Sequence, residues 1–161
     1  MTQTFEEIYA EQLDYVWHSL RRLGVDDRDR EDLAHDVFLV VYRRLASYDP
    51  ACSLRAWLFG IAYRVVADHR RRARVKREVL DDTVEAVAPP PAHADRELVL
   101  RALTTLDLER RAVFILHDLD GQSIPEIARV IDAPENTLYS HLSRGRRDFA
   151  AAVKKLRGGV P

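Results

Sequence analysis

The sequence predicts an all-α protein made of two small helical domains joined by a proline-rich linker. Apolar residues recur at helical spacing through most of the 161 residues. This helical spacing of apolar residues is lost over residues 78–96, where Pro89 to Pro91 cannot lie inside a helix. Clear helix start and stop signals mark the C-terminal quarter. We therefore expect a domain at residues 1–77, a linker at 78–96 that lets the two domains reach separate sites, and a second domain at 97–161.

The composition excludes several classes of protein. No stretch approaches the roughly 18 apolar residues of a membrane span, and the polar N-terminus is no signal peptide. The single cysteine, Cys52, excludes a disulfide-built secreted scaffold. The motifs of nucleotide-binding loops, zinc proteases and serine hydrolases are absent, and the six histidines are dispersed. We expect a soluble, cytoplasmic protein that is not an enzyme, has no membrane partner and uses no cofactor or metal.

Charge is distributed unevenly along the chain, although the formal net charge is only −1. Residues 1–50 are rich in aspartate and glutamate, whereas residues 64–77 and 144–157 are strongly basic. Basic segments are typical of surfaces that bind nucleic acid. The asymmetry therefore predicts two kinds of partner, with nucleic acid on the basic side.

Helical spacing predicts a first helix over about Phe5 to Leu23, which Gly24 ends, and a second over about Asp29 to Leu45. Most apolar residues of the second helix share one buried sector. Its opposite side carries an apolar anchor, Leu39, with a charged rim, which is what a protein–protein contact needs. The alternative is a lone exposed leucine, which is common. This face consists of Asp32, Asp36, Leu39 and Arg43.

A third helix is expected over about Leu54 to Arg74. One of its sides combines an aromatic ring, small residues and arginines, a pattern that suits single-stranded nucleic acid because unpaired bases stack while arginines hold the backbone. The arginine run that includes Arg70, Arg71 and Arg72 adds charge for phosphates. For Trp57, a position in the core is an equally good interpretation. The strand face, as we call this side, consists of Trp57, Gly60, Arg64, Ala67 and Arg71.

The C-terminal quarter has the pattern of a helix-turn-helix. Ser123 and Glu126 stand at capping-box spacing, with Pro125 in the first turn. Residues 132–134 then break the helix, and Pro134 is expected to restart one as its first residue.

The second helix of this motif separates an apolar side from a polar and basic side. Small polar residues let a helix lie close to base edges, and arginines pair with phosphate or guanine. An ordinary amphipathic helix with a solvated basic face is the alternative. The predicted DNA-reading face consists of Asn136, Thr137, Tyr139, Ser140, His141, Ser143, Arg144 and Arg147.

Three segments together resemble a known family. In order they read DLAHDVFLVVYRR, SLRAWLFGIAYRVVADHRRR and, after the linker, LDLERRAVFILHDLDGQSIPEIARVIDAPENTLYSHLSRGRR. Their order and spacing resemble a bacterial extracytoplasmic-function (ECF) sigma factor of the sigma-70 family. The resemblance spans roughly Phe5–Lys76 as region 2 and Glu97–Leu156 as region 4. It implies a protein that binds core RNA polymerase and promoter DNA, and members are often held inactive by an anti-sigma factor.

The resemblance implies a role for each predicted surface. The face bearing Leu39 matches the segment that docks on the β′ clamp helices, with the β subunit as a further contact. The loop 47–53, with Tyr48, Asp49 and Ser53, matches the one that captures a base flipped out of the −10 element. The strand face with Arg70 and the following arginines would hold the melted strand, and the C-terminal helix would read the −35 element as duplex.

Some residues depart from the usual family pattern. Arg64 stands where many members carry asparagine near the −10 strand, which exchanges a base contact for a phosphate contact. Asn136, Tyr139, His141 and Gly145 replace the more frequent glycine, lysine, arginine and alanine. The loss of two cations weakens phosphate anchoring unless His141 is protonated. Promoter preference therefore does not carry over from the family.

A conventional transcription regulator is the competing interpretation. Such a protein would read palindromic duplex DNA with its helix-turn-helix and use the N-terminal half for dimerisation or sensing, without polymerase. The aromatic and basic strand face argues against it.

Overall fold

The computed structural model describes the backbone of residues 3–80 and 94–158, with side chains for 3–76 and 94–158. Pro89 to Pro91 lie outside the described residues. The described residues form helices and turns with no β-strand, so the all-α prediction is confirmed. A 3₁₀ turn follows α2 at Leu45–Ser47, and a π-helical turn follows α5 at Ile115–Leu119. The helices are α1 (Phe5–Arg22), α2 (Asp27–Arg44), α3 (Leu54–Leu80), α4 (Ala94–Thr104), α5 (Leu108–Phe114), α6 (Ile124–Ile131) and α7 (Glu135–Arg157).

Helices α1, α2 and α3 pack on one another as a bundle. Helix α1 begins at Phe5 because of a complete capping box, which the sequence analysis missed. The hydroxyl of Thr4 accepts the backbone N–H of Glu7, and the Glu7 carboxylate accepts the backbone N–H of Thr4, both at 3.2 Å. The fully buried side chains of the bundle include Ile8, Val16, Leu20, Val37, Val41, Leu58 and Phe59.

Helix α3 is longer than the sequence analysis predicted. It continues past Arg74 to Leu80, through a stretch that contains lysine, arginine, glutamate and leucine, all good helix formers. The predicted linker, starting at residue 78, therefore begins inside a helix. The domain boundaries stay a prediction.

The helix-turn-helix is formed by α6 and α7. The hydroxyl of Ser123 accepts the backbone N–H of Glu126 at 3.3 Å, as its spacing predicts. Helix α6 ends at Ile131, and its C-cap residue Asp132 has a left-handed φ of 61°, a conformation that aspartate tolerates better than most residues. The predicted start of α7 was wrong by one residue. Pro134 is the N-cap, with an extended ψ of 144°, and its carbonyl accepts the N–H of Leu138.

The two halves of the described chain pack directly against each other. Helix α6 lies on α3, and α4 contacts α1. Arg111 on α5 is only 3% exposed, and its guanidinium donates to the carbonyl of Leu23 at 2.7 Å and to that of Leu106 at 2.8 Å. It thus joins the end of α1 to the turn before α5. One continuous apolar core runs through both halves.

Candidate nucleic-acid interface

The predicted DNA-reading face of α7 is open to solvent. Buried Leu138 and Leu142 hold the other side of the helix against its neighbours, and Tyr139 is 56% exposed. His141 is half-buried, and its Nδ1 has no hydrogen-bond partner among the described residues. The exposed members of the face are Asn136, Thr137, Tyr139, Ser140, Ser143, Arg144 and Arg147.

An ion pair beside this face fixes the position of α7. Arg146 donates to both carboxylate oxygens of Asp118 on the π-helical turn. These hydrogen bonds lower the pKa of Asp118 to about 2, and His117, whose Nδ1 lies 2.7 Å from the same carboxylate, adds to the effect. Arg146 is thereby held toward the protein rather than offered as a free cation. Arg146 is not part of the predicted DNA-reading face, and the sequence indicated no partner for it.

Gly145 allows α5 to approach the buried side of α7. A Cβ atom at this position would lie 3.3 Å from the carbonyl oxygen of Arg110. Arg110 also pairs with Asp148 on α7 at 2.9 Å. The glycine therefore serves the packing of the helix-turn-helix, while the DNA-reading face lies on the other side of α7.

The loop that precedes α3 is held by its own polar groups. The phenol of Tyr48 donates to the carbonyl of Cys52, and the Asp49 carboxylate accepts the N–H of Ala51 at 3.0 Å. The ring of Tyr48 lies 4.7 Å from that of half-buried Trp57. Burial raises the pKa of Tyr48, which keeps the phenol neutral and able to donate. The structure thus brings the predicted loop residues next to the strand face.

Part of the strand face is covered in this structure, because α6 lies against Gly60 and Arg64. Gly60 is buried, and a Cβ atom there would lie 2.5 Å from the carbonyl oxygen of Val130. Arg64 donates to that same carbonyl at 3.3 Å. Two loop residues also contact this half of the chain: Asp49 forms an exposed ion pair with Arg129 at 2.9 Å, and Gln122 lies within 3.3 Å of the Ser53 hydroxyl.

The three predicted phosphate-binding arginines have different surroundings. Arg70 is half-buried and donates to the carbonyl of Leu23 at 3.2 Å, and burial lowers its pKa. Arg71 is exposed and pairs with Asp68 at 2.6 Å. Arg72 is exposed. Arg71 and Arg72 therefore present charge to solvent, whereas Arg70 turns toward the junction of the two halves.

The predicted protein-binding face of α2 is exposed in all four residues, with Leu39 at 41%. It borders a groove of about 810 Å³ between α1 and α2. Aromatic rings line this groove, and Tyr9 packs edge-on against Phe38 at 4.8 Å. This groove was not predicted from the sequence: the four-residue spacing of Phe5 and Tyr9, and of Phe38 and Tyr42, places each pair on one side of its helix but does not show that the two pairs meet. The aromatic residues of the groove are Phe5, Tyr9, Trp17, Phe38 and Tyr42.

Two further features bear on the class of site. Within residues 3–76 and 94–158, no group of three or more histidine, cysteine or acidic side chains is arranged to hold a metal ion. Over the same part of the chain, no helix has the length and apolar character that crossing a membrane requires.

Two family models match the chain. The model described as sigma-70 region 2 matches residues 8–75, and the model described as sigma-70 region 4 matches residues 96–149. These segments contain α1–α3 without their extreme ends, and α4 to the middle of α7. The match therefore falls on the same two helical halves that the structure displays.

Individual proteins are similar over most of the chain. The ECF RNA polymerase sigma factor SigE of Mycolicibacterium smegmatis is 31% identical to this chain, and the alignment covers 92% of this chain. The chain spans only 62% of the length of that relative. The ECF RNA polymerase sigma factor SigM of Mycobacterium tuberculosis strain H37Rv is 30% identical over 89% of this chain and 74% of the relative. The sigma factor RpoE of Bartonella quintana, solved in complex with the anti-sigma factor NepR, has a TM-score of 0.80 at 24% identity, covering 93% of this chain and 96% of that chain. This last similarity is one of fold.

Proposed function

Because this chain belongs to the sigma-70 family, and within it to the ECF sigma factors, we propose that it binds core RNA polymerase and directs promoter-specific initiation of transcription. The observation that carries the proposal is the exposed polar and basic face of α7, presented by a capped α6 and a tight turn. Helices arranged in this way enter the major groove of duplex DNA. Polymerase supplies all of the chemistry, and this chain supplies recognition.

We assign the −35 element to α7. Arg144 and Arg147 are exposed on it and are suited to guanine or phosphate, while Asn136 is suited to adenine. Ser140 and Ser143 lie between them and allow the helix to approach the base edges closely. Within this proposal, the pair between Arg146 and Asp118 sets the angle at which the helix meets the groove.

We assign the −10 element to the loop 47–53 and the strand face. Tyr48 and Trp57 supply adjacent aromatic surfaces on which an unpaired base stacks. Asp49 and Ser53 supply hydrogen-bonding groups at the mouth of the loop for a flipped base. Capture of the unpaired strand then drives opening of the duplex. Arg64 and the arginines that follow it on α3 bind the phosphate backbone of that strand.

We assign core polymerase to the acidic face of α2. Leu39 projects from it as an apolar anchor, and the carboxylates of Asp32 and Asp36 attract a basic partner surface. The aromatic groove beside it enlarges the apolar area available to the β′ clamp helices. The β subunit and an anti-sigma factor, which often restrains members of this family, are further proposed partners.

Transcription with purified components tests the proposal. The chain is added to bacterial core RNA polymerase with fragmented genomic DNA, and transcript starts are mapped. Starts that occur only with the chain, and that share two upstream elements, are expected. DNA binding without core, together with no new starts, would instead identify a conventional duplex-binding regulator.

A further inference from the structure

The loop 47–53, which we assign to the flipped base of the −10 element, uses most of its polar groups to hold its own shape. One oxygen of the Asp49 carboxylate is not needed for that shape. We propose that Asp49 is a specificity-determining residue, which selects a captured base that carries an exocyclic amino group (cytosine, adenine or guanine) over thymine. This inference rests on the proposed function and adds to it the class of base that the loop accepts.

The tip of the loop is a tight turn formed by residues 49–52. The backbone N–H of Cys52 donates to the carbonyl of Asp49 at 2.9 Å, and Pro50 occupies the second position of the turn, where its fixed φ is favourable. Oδ1 of Asp49 accepts the backbone N–H of Ala51 at 3.0 Å, a contact that aspartate commonly makes in turns. Buried Cys52 anchors the end of the turn in the core. The turn therefore holds the carboxylate by one oxygen and in one orientation.

The other two loop side chains that we assign to the base do not distinguish one base from another. The phenol of Tyr48 donates to the Cys52 carbonyl, so Tyr48 offers a base its ring, and every base has a face on which a ring stacks. The hydroxyl oxygen of Ser53 accepts the backbone N–H of Ala56 and the side-chain amide of Gln122, both at 3.3 Å. Its proton is left to donate, and each of the four bases carries an acceptor on its Watson–Crick edge. Discrimination between bases therefore falls to the remaining side chain.

The second oxygen of this carboxylate, Oδ2 of Asp49, takes no part in the turn. It accepts the guanidinium of Arg129 at 2.9 Å, in an ion pair in which both side chains are more than half exposed. A carboxylate oxygen accepts more than one hydrogen bond, so the contact with Arg129 leaves room for a further donor. Because a carboxylate oxygen accepts and does not donate, the group on the base that meets it must carry an N–H.

An acceptor of this kind separates the bases by what their Watson–Crick edges offer. Cytosine and adenine present an exocyclic amino group, and guanine presents an amino group beside its ring N–H. Thymine presents a single ring N–H between two carbonyl oxygens, and those oxygens repel a carboxylate. Carboxylates also accept the amino group of cytosine when proteins read duplex DNA. A base with an amino group should therefore bind the loop more tightly than thymine does.

Bases that are matched in ring size test this selection, with the full-length chain in complex with core RNA polymerase. A labelled single strand carries the −10 segment of a promoter mapped with this complex, and the fluorescence of 2-aminopurine identifies the captured position. At that position cytosine is compared with uracil, and adenine with purine. The second base of each comparison keeps the ring and lacks the amino group. Anisotropy gives the dissociation constant of each strand.

One variant and two controls assign the effect to the carboxylate. Asp49→Asn keeps the turn, because the asparagine oxygen also accepts the Ala51 N–H, and it replaces Oδ2 by an amide group that donates. Arg129→Gln removes the ion pair and leaves Asp49 unchanged. Asp14→Asn removes a carboxylate from an exposed position on α1 and matches the charge change of Asp49→Asn. Both controls should keep the base preference of the wild type.

In the comparison whose bases bind more tightly, we expect the wild type to bind the amino-bearing base about tenfold more tightly than its partner, the size of effect that a specific base contact gives. Asp49→Asn should lower this ratio to about one or below, because the new amide group donates to the base instead of accepting from an amino group. The inference is overturned if the wild type binds both bases of that comparison equally, if Asp49→Asn retains the wild-type ratio, or if Arg129→Gln loses it to the same extent. Failure of the chain to direct transcription with core would refute the proposed function separately.

Discussion

Arg146 on α7 donates two hydrogen bonds to Asp118 on the π-helical turn, at 2.7 and 2.8 Å. The pair spans the helix-turn-helix from one end to the other, since α6 lies between the two residues in sequence. It is bidentate, the geometry in which a guanidinium and a carboxylate interact most specifically. The position of α7, the proposed DNA-reading helix, therefore depends in part on a residue outside that helix.

This pair should make stability depend on pH at the acidic end. The pKa of Asp118 is lowered from 3.8 to about 2 in the folded chain, so its contribution is fully present above about pH 4 and is lost as pH falls through about 2. Because the Arg146 side chain is 52% exposed, solvent screening limits the contribution to about 1 kcal/mol. Asp118→Asn should lower the free energy of unfolding by this amount at neutral pH, measured in urea. Asp14→Asn is the control, and an equal loss in both variants would contradict the prediction.

Removal of the guanidinium at residue 144 should weaken duplex recognition. Arg144→Ala is expected to reduce binding to the −35 duplex by roughly 1–3 kcal/mol if the side chain reads a base. Lys155→Ala removes a cation from the exposed end of the same helix and serves as the control. Titration against the natural duplex and against single-base variants gives the measurement. A loss of the same size on every sequence would assign Arg144 to phosphate instead.

A charge introduced at the apolar centre of the α2 face, or a reversed charge on its rim, should prevent assembly with polymerase. Leu39→Asp and Asp36→Arg are both expected to abolish binding to core RNA polymerase, measured by gel filtration or fluorescence. Leu156→Asp provides a matched control, since Leu156 is 40% exposed and Leu39 is 41% exposed. Normal assembly of Leu39→Asp and Asp36→Arg with core would remove this face from the proposed interface.

Loss of the indole of Trp57 should impair promoter opening more than closed-complex binding. The ring stacks near Tyr48 and is proposed to support an unpaired base, a contact worth about 1–3 kcal/mol. Permanganate reactivity of the −10 region reports opening, and a duplex shift assay with core reports binding. Thermal melting controls for folding, because Trp57 is half-buried. Equal impairment of both steps would indicate a structural role.

Apolar spacing predicted the starts of α1 and α3, and the cap residue Ser123 predicted the start of α6. Helix α2 begins two residues earlier than predicted, and the two predicted helical domains match sigma-70 regions 2 and 4. The start of α7 was harder to predict, because the φ angle of a proline is suitable both for an N-cap and for the first residue of a helix. Only ψ distinguishes them, and ψ is set by the turn that contains left-handed Asp132.

The contact of α6 with the strand face could not be predicted from the sequence. A helical wheel assigns each helix one buried side and one exposed side, whereas α3 is packed against α1 and α2 on one side and against α6 on another. Gly60 was therefore placed on an open face, and for Trp57 the open face and the core were equal alternatives. The aromatic groove was missed for a similar reason: its rings come from two helices, and their meeting is a property of tertiary packing.

Gly60 affects the stability of α3 as a helix and the packing of α3 against α6 in opposite directions. In the interior of a helix, glycine is less favourable than alanine by roughly 0.5–1 kcal/mol, whether or not α6 is present. The close approach of the Val130 carbonyl, by contrast, excludes any larger residue at position 60. An alanine would therefore strengthen α3 as a helix and weaken its packing against α6. The missing methyl group that makes α3 a poorer helix at this position is also what lets α6 pack on it.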